Sequence, residues 1–189
     1  MKNRTLFVKN MVCDRCKQAV RRAAENAGIA PLGVELGEVA LAEPPEPEPL
    51  ARFREALRVS GFELLDDRRQ QLVERIKAVV IDLVHHRNDD RKVNLSDFLT
   101  GKLGRDYSSL SSLFSEVEGT TLEQFLIRQK IERVKELLVY DELSLNEITD
   151  LLHYSSVAHL SSQFKKVTGL TPSHFKRIGE QKRVPLDQI

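Results

Sequence analysis

The chain has two cysteines in 189 residues, Cys13 and Cys16, and their spacing raises the first chemical question. A pair three positions apart cannot cross-link distant parts of a fold, so it points to metal or redox chemistry rather than to architecture. The pair stands where an extended pattern gives way to a helical one. A thiol at a helix N-terminus ionises more readily, because the free amides and the helix dipole favour the anion. The thiolate is the form that binds metal. Two thiolates with no further cysteine and no adjacent histidine make a sparse, soft site, which suits Cu(I) better than Zn(II), an ion that takes four ligands. The rival readings are a redox pair and a pair without function. No Trp or cis-Pro-like context surrounds the cysteines, which disfavours thioredoxin-like exchange.

The flanking pattern predicts the elements that position the pair. Thr5–Lys9 reads as a short strand. From Asp14 to Asn26 the pattern is helical, with Cys16, Val20, Ala23 and Ala27 on one face and Gly28 as the stop. Val34, Leu36, Val39 and Leu41 flank Gly37-Glu38 and read as a compact hairpin. The Pro/Glu run Glu43–Pro49 reads as a loop, Leu50, Phe53 and Leu57 as a second helix stopped by Gly61, and Phe62–Leu65 as a last strand. The order β-α-β-β-α-β, with two helices over one face of a sheet, is the ferredoxin-like arrangement.

Asn10-Met11-Val12-Cys13-Asp14-Arg15-Cys16 resembles the M-x-C-x-x-C loop of heavy-metal-associated domains, found in copper chaperones and metal-pumping ATPases. The resemblance covers about residues 4–66 and includes the Gly61-Phe62 pair, where that family often has Gly followed by an aromatic residue. It implies that Cys13 and Cys16 are metal ligands, that Met11 is a buried anchor under the loop, and that Phe62 screens the site. Asn10 stands where the family usually has Gly, Val12 where it has Ser or Thr, and the hairpin is short.

Beyond this unit, Gln70–Val84 reads as an amphipathic helix with Leu72, Ile76, Val80 and Leu83 on one side. His85-His86 follow it; histidines at a helix end are usually solvated or capping, and a metal-ligand role is the lesser reading. Sliding the next segment by 50 positions then reveals an internal repeat without gaps. Asn94-Leu95-x-Asp97-Phe98 aligns with Ser144-Leu145-x-Glu147-Ile148, and Leu110-Ser111-Ser112-x-Phe114 with Leu160-Ser161-Ser162-x-Phe164. Val117, Gly119, Thr121 and Phe125 align with Val167, Gly169, Thr171 and Phe175. Each copy has an N-cap with an acidic N3 residue, a short helix, a turn, and a second helix starting at a serine pair, Ser108-Ser109 or Ser155-Ser156. Two short helices on a tight turn form a helix-turn-helix, whose second helix can lie in a DNA major groove. A generic helical array is the alternative, but two copies are too few for a stable solenoid, and serine-rich helix starts suit phosphate and base-edge contact. Between the copies, Leu122–Tyr140 reads as one long helix entered through Thr120-Thr121, a rod of roughly 28 Å at ~1.5 Å per residue. Its apolar positions Ile127, Ile131, Val134 and Leu138 form one stripe, and Leu122, Leu126 and Leu137 a second.

From Gln70 to Arg177 the sequence resembles the DNA-binding domain of the AraC/XylS family of bacterial regulators, which carry two helix-turn-helix units on a linking helix. The resemblance rests on Leu126-Ile127-x₃-Ile131-Glu132-Arg133-Val134-x₂-Leu137-Leu138 in the linker helix. It rests equally on Ser144-Leu145-x₂-Ile148-x₂-Leu151-x₂-Tyr154-Ser155-Ser156-x₂-His159-Leu160-x₃-Phe164-Lys165-x₃-Gly169-x₂-Pro172-x₂-Phe175 in the second unit. It implies recognition helices near Ser108–Glu118 and Ser156–Val167. Ser112 and Ser162 stand where the family often places Arg. In the second unit Ser156, His159, Ser162 and Gln163 are then the candidate base-edge contacts, with Lys165, Lys166 and Thr171 on phosphate. The first unit contributes Ser108, Ser109 and Ser112.

Charge divides the two units. Residues 102–154 carry 6 Lys/Arg against 10 Asp/Glu, whereas residues 155–189 carry 6 against 2. After the shared Phe the first copy has Ser115-Glu116 and the second Lys165-Lys166. Carboxylates oppose a phosphate backbone and lysines favour it, so the second unit is expected to dominate DNA binding. The acidic first unit suits RNA polymerase or another protein as an alternative partner.

The expected organisation is therefore a ferredoxin-like α+β domain at 1–66 and an all-α domain at 67–189, in a cytoplasmic protein. No apolar run approaches the ~18 residues that span a bilayer, and the N-terminus lacks a signal-like apolar stretch. No nucleophile–base–orienter constellation is found, which argues against an enzyme. The leading expectation is a metal-responsive DNA-binding regulator that binds copper(I), or another soft ion, and double-stranded DNA. The alternative is a metal-buffering or metal-transfer protein whose AraC-like half is a protein-interaction module.

Overall fold

The computed structural model describes residues 5–86 and 94–178; residues 1–4, 87–93 and 179–189, which include part of the basic C-terminal end, lie outside the described residues. Strand β1 (Thr5–Lys9), helix α1 (Asp14–Asn26), the hairpin β2 (Pro31–Glu35) and β3 (Glu38–Leu41), helix α2 (Pro47–Val59) and strand β4 (Glu63–Leu65) come first. The four strands form one antiparallel sheet in the order β2-β3-β1-β4. Apolar side chains of the sheet, Val8, Val34, Val39, Leu41 and Leu64, form one core with Val20 and Ala24 of α1 and Phe53 and Leu57 of α2. The hairpin turns at Leu36-Gly37, with Gly37 at φ 78, so Glu38 already belongs to β3.

The stretch Glu43–Pro49 is not all loop. Helix α2 begins at Pro47, and Leu50 supplies the first helical hydrogen bond, to the Glu46 carbonyl at 3.1 Å. Pro47 and Pro49 fall in the first turn, where backbone N–H groups have no helical partner and proline costs nothing in hydrogen bonds.

Helix α3 (Arg68–Ile81) joins this unit to the rest, packing on β1 and β4 and also on α4 (Leu95–Leu103) and α5 (Tyr107–Glu118). Because it is covered on more than one side, its buried arc is wider than the predicted stripe: Val73, Glu74 and Ile81 are buried with Ile76 and Val80, while Leu72 and Leu83 are half-buried. The regular helix also stops earlier than predicted. From Asp82 to His86 the turns widen to the π form, and Val84 is buried there.

The repeat is realised at the same 50-position offset, except that α7 ends two positions earlier than α4. Helices α4 and α5 correspond to α7 (Leu145–Leu151) and α8 (Val157–Thr168), and the start of α6 (Leu122–Tyr140) corresponds to α9 (Pro172–Ile178). Gly119 and Gly169 end α5 and α8 in the left-handed conformation, at φ 67 and 78. Phe114 packs on Phe125 with ring centroids 5.3 Å apart, and Phe164 on Phe175 at 5.6 Å. The long helix α6 belongs to both units. Leu122 and Phe125 lie in the first unit's core, and Ile131, Val134 and Leu138 in the second's.

Candidate functional site

The cysteine loop is built by its backbone. Cys13 is the N-cap of α1, and Cys16 lies in the first turn, so the two sulfurs face each other at 3.4 Å without a disulfide. Asn10 adopts φ 71, a conformation that Asn tolerates better than other residues with a side chain, and this accounts for an amide where the resemblance expects Gly. The same amide donates to the Gly61 carbonyl at 3.0 Å, tying the loop to the α2–β4 turn and bringing Phe62 to the edge of the core. Met11 is 4% exposed and packs in the core of this unit.

The helix-start argument for an acidic thiol is incomplete. Burial is the largest influence on Cys16 and pushes its thiol up, against hydrogen bonds from the Val12 and Cys13 backbone that pull it down. Among the described residues no cluster of three or more His, Cys, Asp or Glu side chains surrounds the pair. The His85 side chain is 5% exposed, with Nε2 3.0 Å from Gln129 Oε1 and Nδ1 4.0 Å from Glu136. Desolvation drives its pKa down to about 4.

In the first helix-turn-helix the N-cap of α5 is Asp106, not a serine. Its carboxylate accepts from the backbone N–H groups of Ser108 and Ser109, and from the Ser108 hydroxyl at 2.9 Å. The serine pairs are therefore not equivalent; the 50-position offset itself matches Asp106 with Ser156, the N-cap of α8. Ser108, Ser109 and Ser112 are exposed. The acidic groups of α5 are engaged within the chain. Glu116 pairs with Arg69 at 2.5 Å, and Glu118 with Lys77 at 2.8 Å, both cations on α3. Burial pulls the Lys77 ammonium down, but attraction to Glu74 and hydrogen bonds with Glu118 and Glu74 outweigh it and hold it above the usual lysine value.

In the second unit Ser156, His159, Ser162, Lys165 and Lys166 are exposed along α8. The Ser156 hydroxyl accepts from the His159 N–H at 3.1 Å, and the Thr171 hydroxyl from the His174 N–H at 3.3 Å, so both side chains also cap helices. His159 Nδ1 lies 3.0 Å from Ser155 Oγ. Gln163 is only half-exposed, and its amide oxygen accepts from the Tyr154 hydroxyl at 2.6 Å. A contact that sequence reasoning passes over completes this side of the unit. The Lys130 ammonium of the linker helix lies 5.2 Å from the ring centre of the turn residue Tyr154 and donates to the Leu152 carbonyl at 2.8 Å. Nothing in local periodicity joins a turn tyrosine to a lysine 24 positions earlier.

A family model described as a helix-turn-helix domain matches residues 99–178, from within α4 to the end of α9. Over 103 residues the chain is 30% identical to the xylose operon regulatory protein of Escherichia coli K12. Residues 99–178 are a helix-turn-helix domain. The E. coli alignment covers 54% of this chain and 26% of that protein. A second relative is the probable transcriptional regulator LumQ of Photobacterium leiognathi, 24% identical over 107 residues, or 57% of this chain and 43% of that protein. The chain thus spans less than half the length of these relatives. Similar solved structures include the C-terminal domain of AraT, a response regulator from Geobacillus stearothermophilus, at 22% identity and TM-score 0.49, covering 59% of this chain and 88% of that one. An AraC-type transcriptional regulator from Chromobacterium violaceum aligns at 20% identity and TM-score 0.49, covering 57% and 95%. The matched segment contains every candidate DNA-contact residue, whereas the cysteine loop lies outside it. No helix among the described residues is long and apolar enough to cross a membrane.

Proposed function

We propose that this chain is a cytoplasmic transcription regulator in which the AraC-type domain binds double-stranded DNA and the N-terminal unit binds a soft metal ion that adjusts that binding. The DNA half of the proposal is supported by the match over residues 99–178 and by the lysine pair on the exposed side of α8. The second unit carries most of the phosphate attraction, through Lys165 and Lys166. The first adds exposed serines, and two of its carboxylates, Glu116 and Glu118, are partnered by α3, which leaves it less repulsive to DNA than its composition implies.

The metal half rests on one observation: two half-buried thiols 3.4 Å apart at the start of α1. The strand order β2-β3-β1-β4 supports a ferredoxin-like, heavy-metal-associated reading of the N-terminal unit. The donor set fits a soft ion of low coordination number, copper(I) first, and does not fit a four-ligand zinc site. Cys13 and Cys16 would hold the ion as thiolates, Met11 would support the loop, and Phe62 would limit access. Binding there favours the anionic form of Cys16 against the burial that opposes it.

Charge pairs offer a physical link between the halves. Lys17, next to Cys16, pairs with Glu35 at 2.9 Å; Glu38, across the hairpin, pairs with Arg75 of α3 at 2.7 Å; and Lys77 of α3 holds Glu118 of α5. The test is titration of the full chain with Cu(I) while its affinity for a duplex is followed by gel shift, in the native protein and in the Cys13→Ser, Cys16→Ser variant. Stoichiometric binding and a metal-dependent change in affinity, both abolished in the variant, are expected. A variant that still responds places the sensor elsewhere. Binding without any change in affinity would favour a metal-buffering or metal-transfer protein.

A further inference from the structure

Gln163 and Tyr154 form a pair that the first helix-turn-helix lacks. At the two matching positions, 50 residues earlier, stand Leu113 and Gly104. Leu113 packs on the first unit's core, which shows that this position on the recognition helix faces partly inward. In the second unit the same position holds an amide, and the inward partner is a tyrosine hydroxyl.

The polarity of that contact is set by its geometry. The 2.6 Å separation is an O–H···O distance, shorter than the ~2.7–3.2 Å of N–H···O bonds, so the Gln163 oxygen is the atom turned toward Tyr154. Tyr154 is itself held in place. Its backbone N–H donates to the Thr149 carbonyl at 2.9 Å, the Lys130 ammonium lies over its ring, and the His159 ring meets it edge-on at 5.4 Å. Burial also raises its hydroxyl pKa, so the group stays protonated and remains a donor. With the oxygen engaged inside, the amide nitrogen is the end of Gln163 left for the outer face of α8, beside His159 and Lys166 at i−4 and i+3.

We infer that Tyr154 is a positioning residue for DNA specificity, which presents Gln163 to the major groove as a hydrogen-bond donor only. This rests on the reading of α8 as the groove helix. A free glutamine grips adenine by donating to N7 and accepting from N6–H. A glutamine held by Tyr154 reads an acceptor instead. Guanine, with O6 and N7, satisfies it best, and cytosine, which offers only the N4 donor, is rejected.

The experiment is selection by the full chain from a randomised duplex library, followed by affinity measurement on the selected duplex and its single-base-pair variants. At one base pair the native protein should prefer guanine to cytosine by about five- to tenfold. Tyr154→Phe should raise the affinity for adenine at that pair alone, because the oxygen is released. Gln163→Ala should remove the preference there and nowhere else. Gln163→Glu should turn it toward cytosine, since a carboxylate can only accept. A Tyr154→Phe protein that keeps every base preference, or that loses affinity equally for all sequences, overturns the inference, as does a Gln163→Ala protein with an unchanged motif. If the native chain enriches no sequence at all, the DNA-reading proposal falls and this inference with it.

Discussion

The Lys77 ammonium lies 2.8 Å from the Glu118 carboxylate and 2.9 Å from that of Glu74, so a cation on α3 holds the last turn of α5. Glu74 is 8% exposed, and removing its partner would leave a nearly buried carboxylate uncompensated. Lys77→Ala is therefore expected to cost about 1–3 kcal/mol, measured by urea denaturation. Glu118→Gln, which leaves Lys77 paired with Glu74, should cost less. Equal losses would mean that the link to α5 carries most of the energy.

Phosphate attraction at the second unit should be visible as salt dependence. Each phosphate neutralised by a cation steepens the fall of log affinity with log salt by roughly 0.9. Replacing both Lys165 and Lys166 by Ala should make that slope shallower by about 2, and reversing both to Glu should abolish retention in a low-salt gel shift. The conservative change Glu116→Gln should move the slope by less than either, because Arg69 already partners that carboxylate. A double-alanine variant with an unaltered slope would remove the lysine pair from the interface.

Asn10 offers a test of how the cysteine loop is held. Asn10→Ala keeps a side chain at φ 71 and loses the bond to Gly61, so it should cost about 1–2 kcal/mol and loosen the Sγ pair. Asn10→Gly removes the strain and loses only the hydrogen bond, so it should lie closer to the native protein. Thermal denaturation ranks the three; an alanine variant as stable as the glycine one would show that the backbone relaxes.

His85 predicts acid sensitivity. Its burial holds the folded-state pKa at about 4, below the ordinary value of 6.5, so the unfolded chain takes up the proton first as pH falls. This contribution to stability is intact above about pH 6.5 and declines from there to about pH 4, by about 3 kcal/mol in all. His85→Gln, which does not titrate, should flatten that part of the native profile when unfolding free energies are compared across pH. Parallel profiles would contradict a buried neutral imidazole.

Much of this molecule is legible in local pattern. The bounds of β1, α1 and α6 follow from apolar periodicity and capping residues, and a repeat without gaps announces paired helices because each copy must bury the same Leu and Phe. Glu43–Pro49 is misleading because proline reads as a breaker, although at a helix start it is well tolerated. The serine pairs mislead because they match by residue type and not by the repeat offset, which aligns Asp106 with Ser156.

The chain by itself therefore determined which elements form and where the candidate residues stand on them: the cysteines at a helix start, and the two helix pairs around a shared rod. Only the tertiary structure decided what those residues face. Cys16 is burdened by burial that a helix-start argument omits, and Glu116 and Glu118 are neutralised by an α3 lying tens of positions away. His85 is enclosed rather than solvated, and Gln163 has its oxygen turned to Tyr154. Desolvation and pairing depend on the distance between groups in space, and a one-dimensional pattern does not encode that distance except within a helix turn or along a strand.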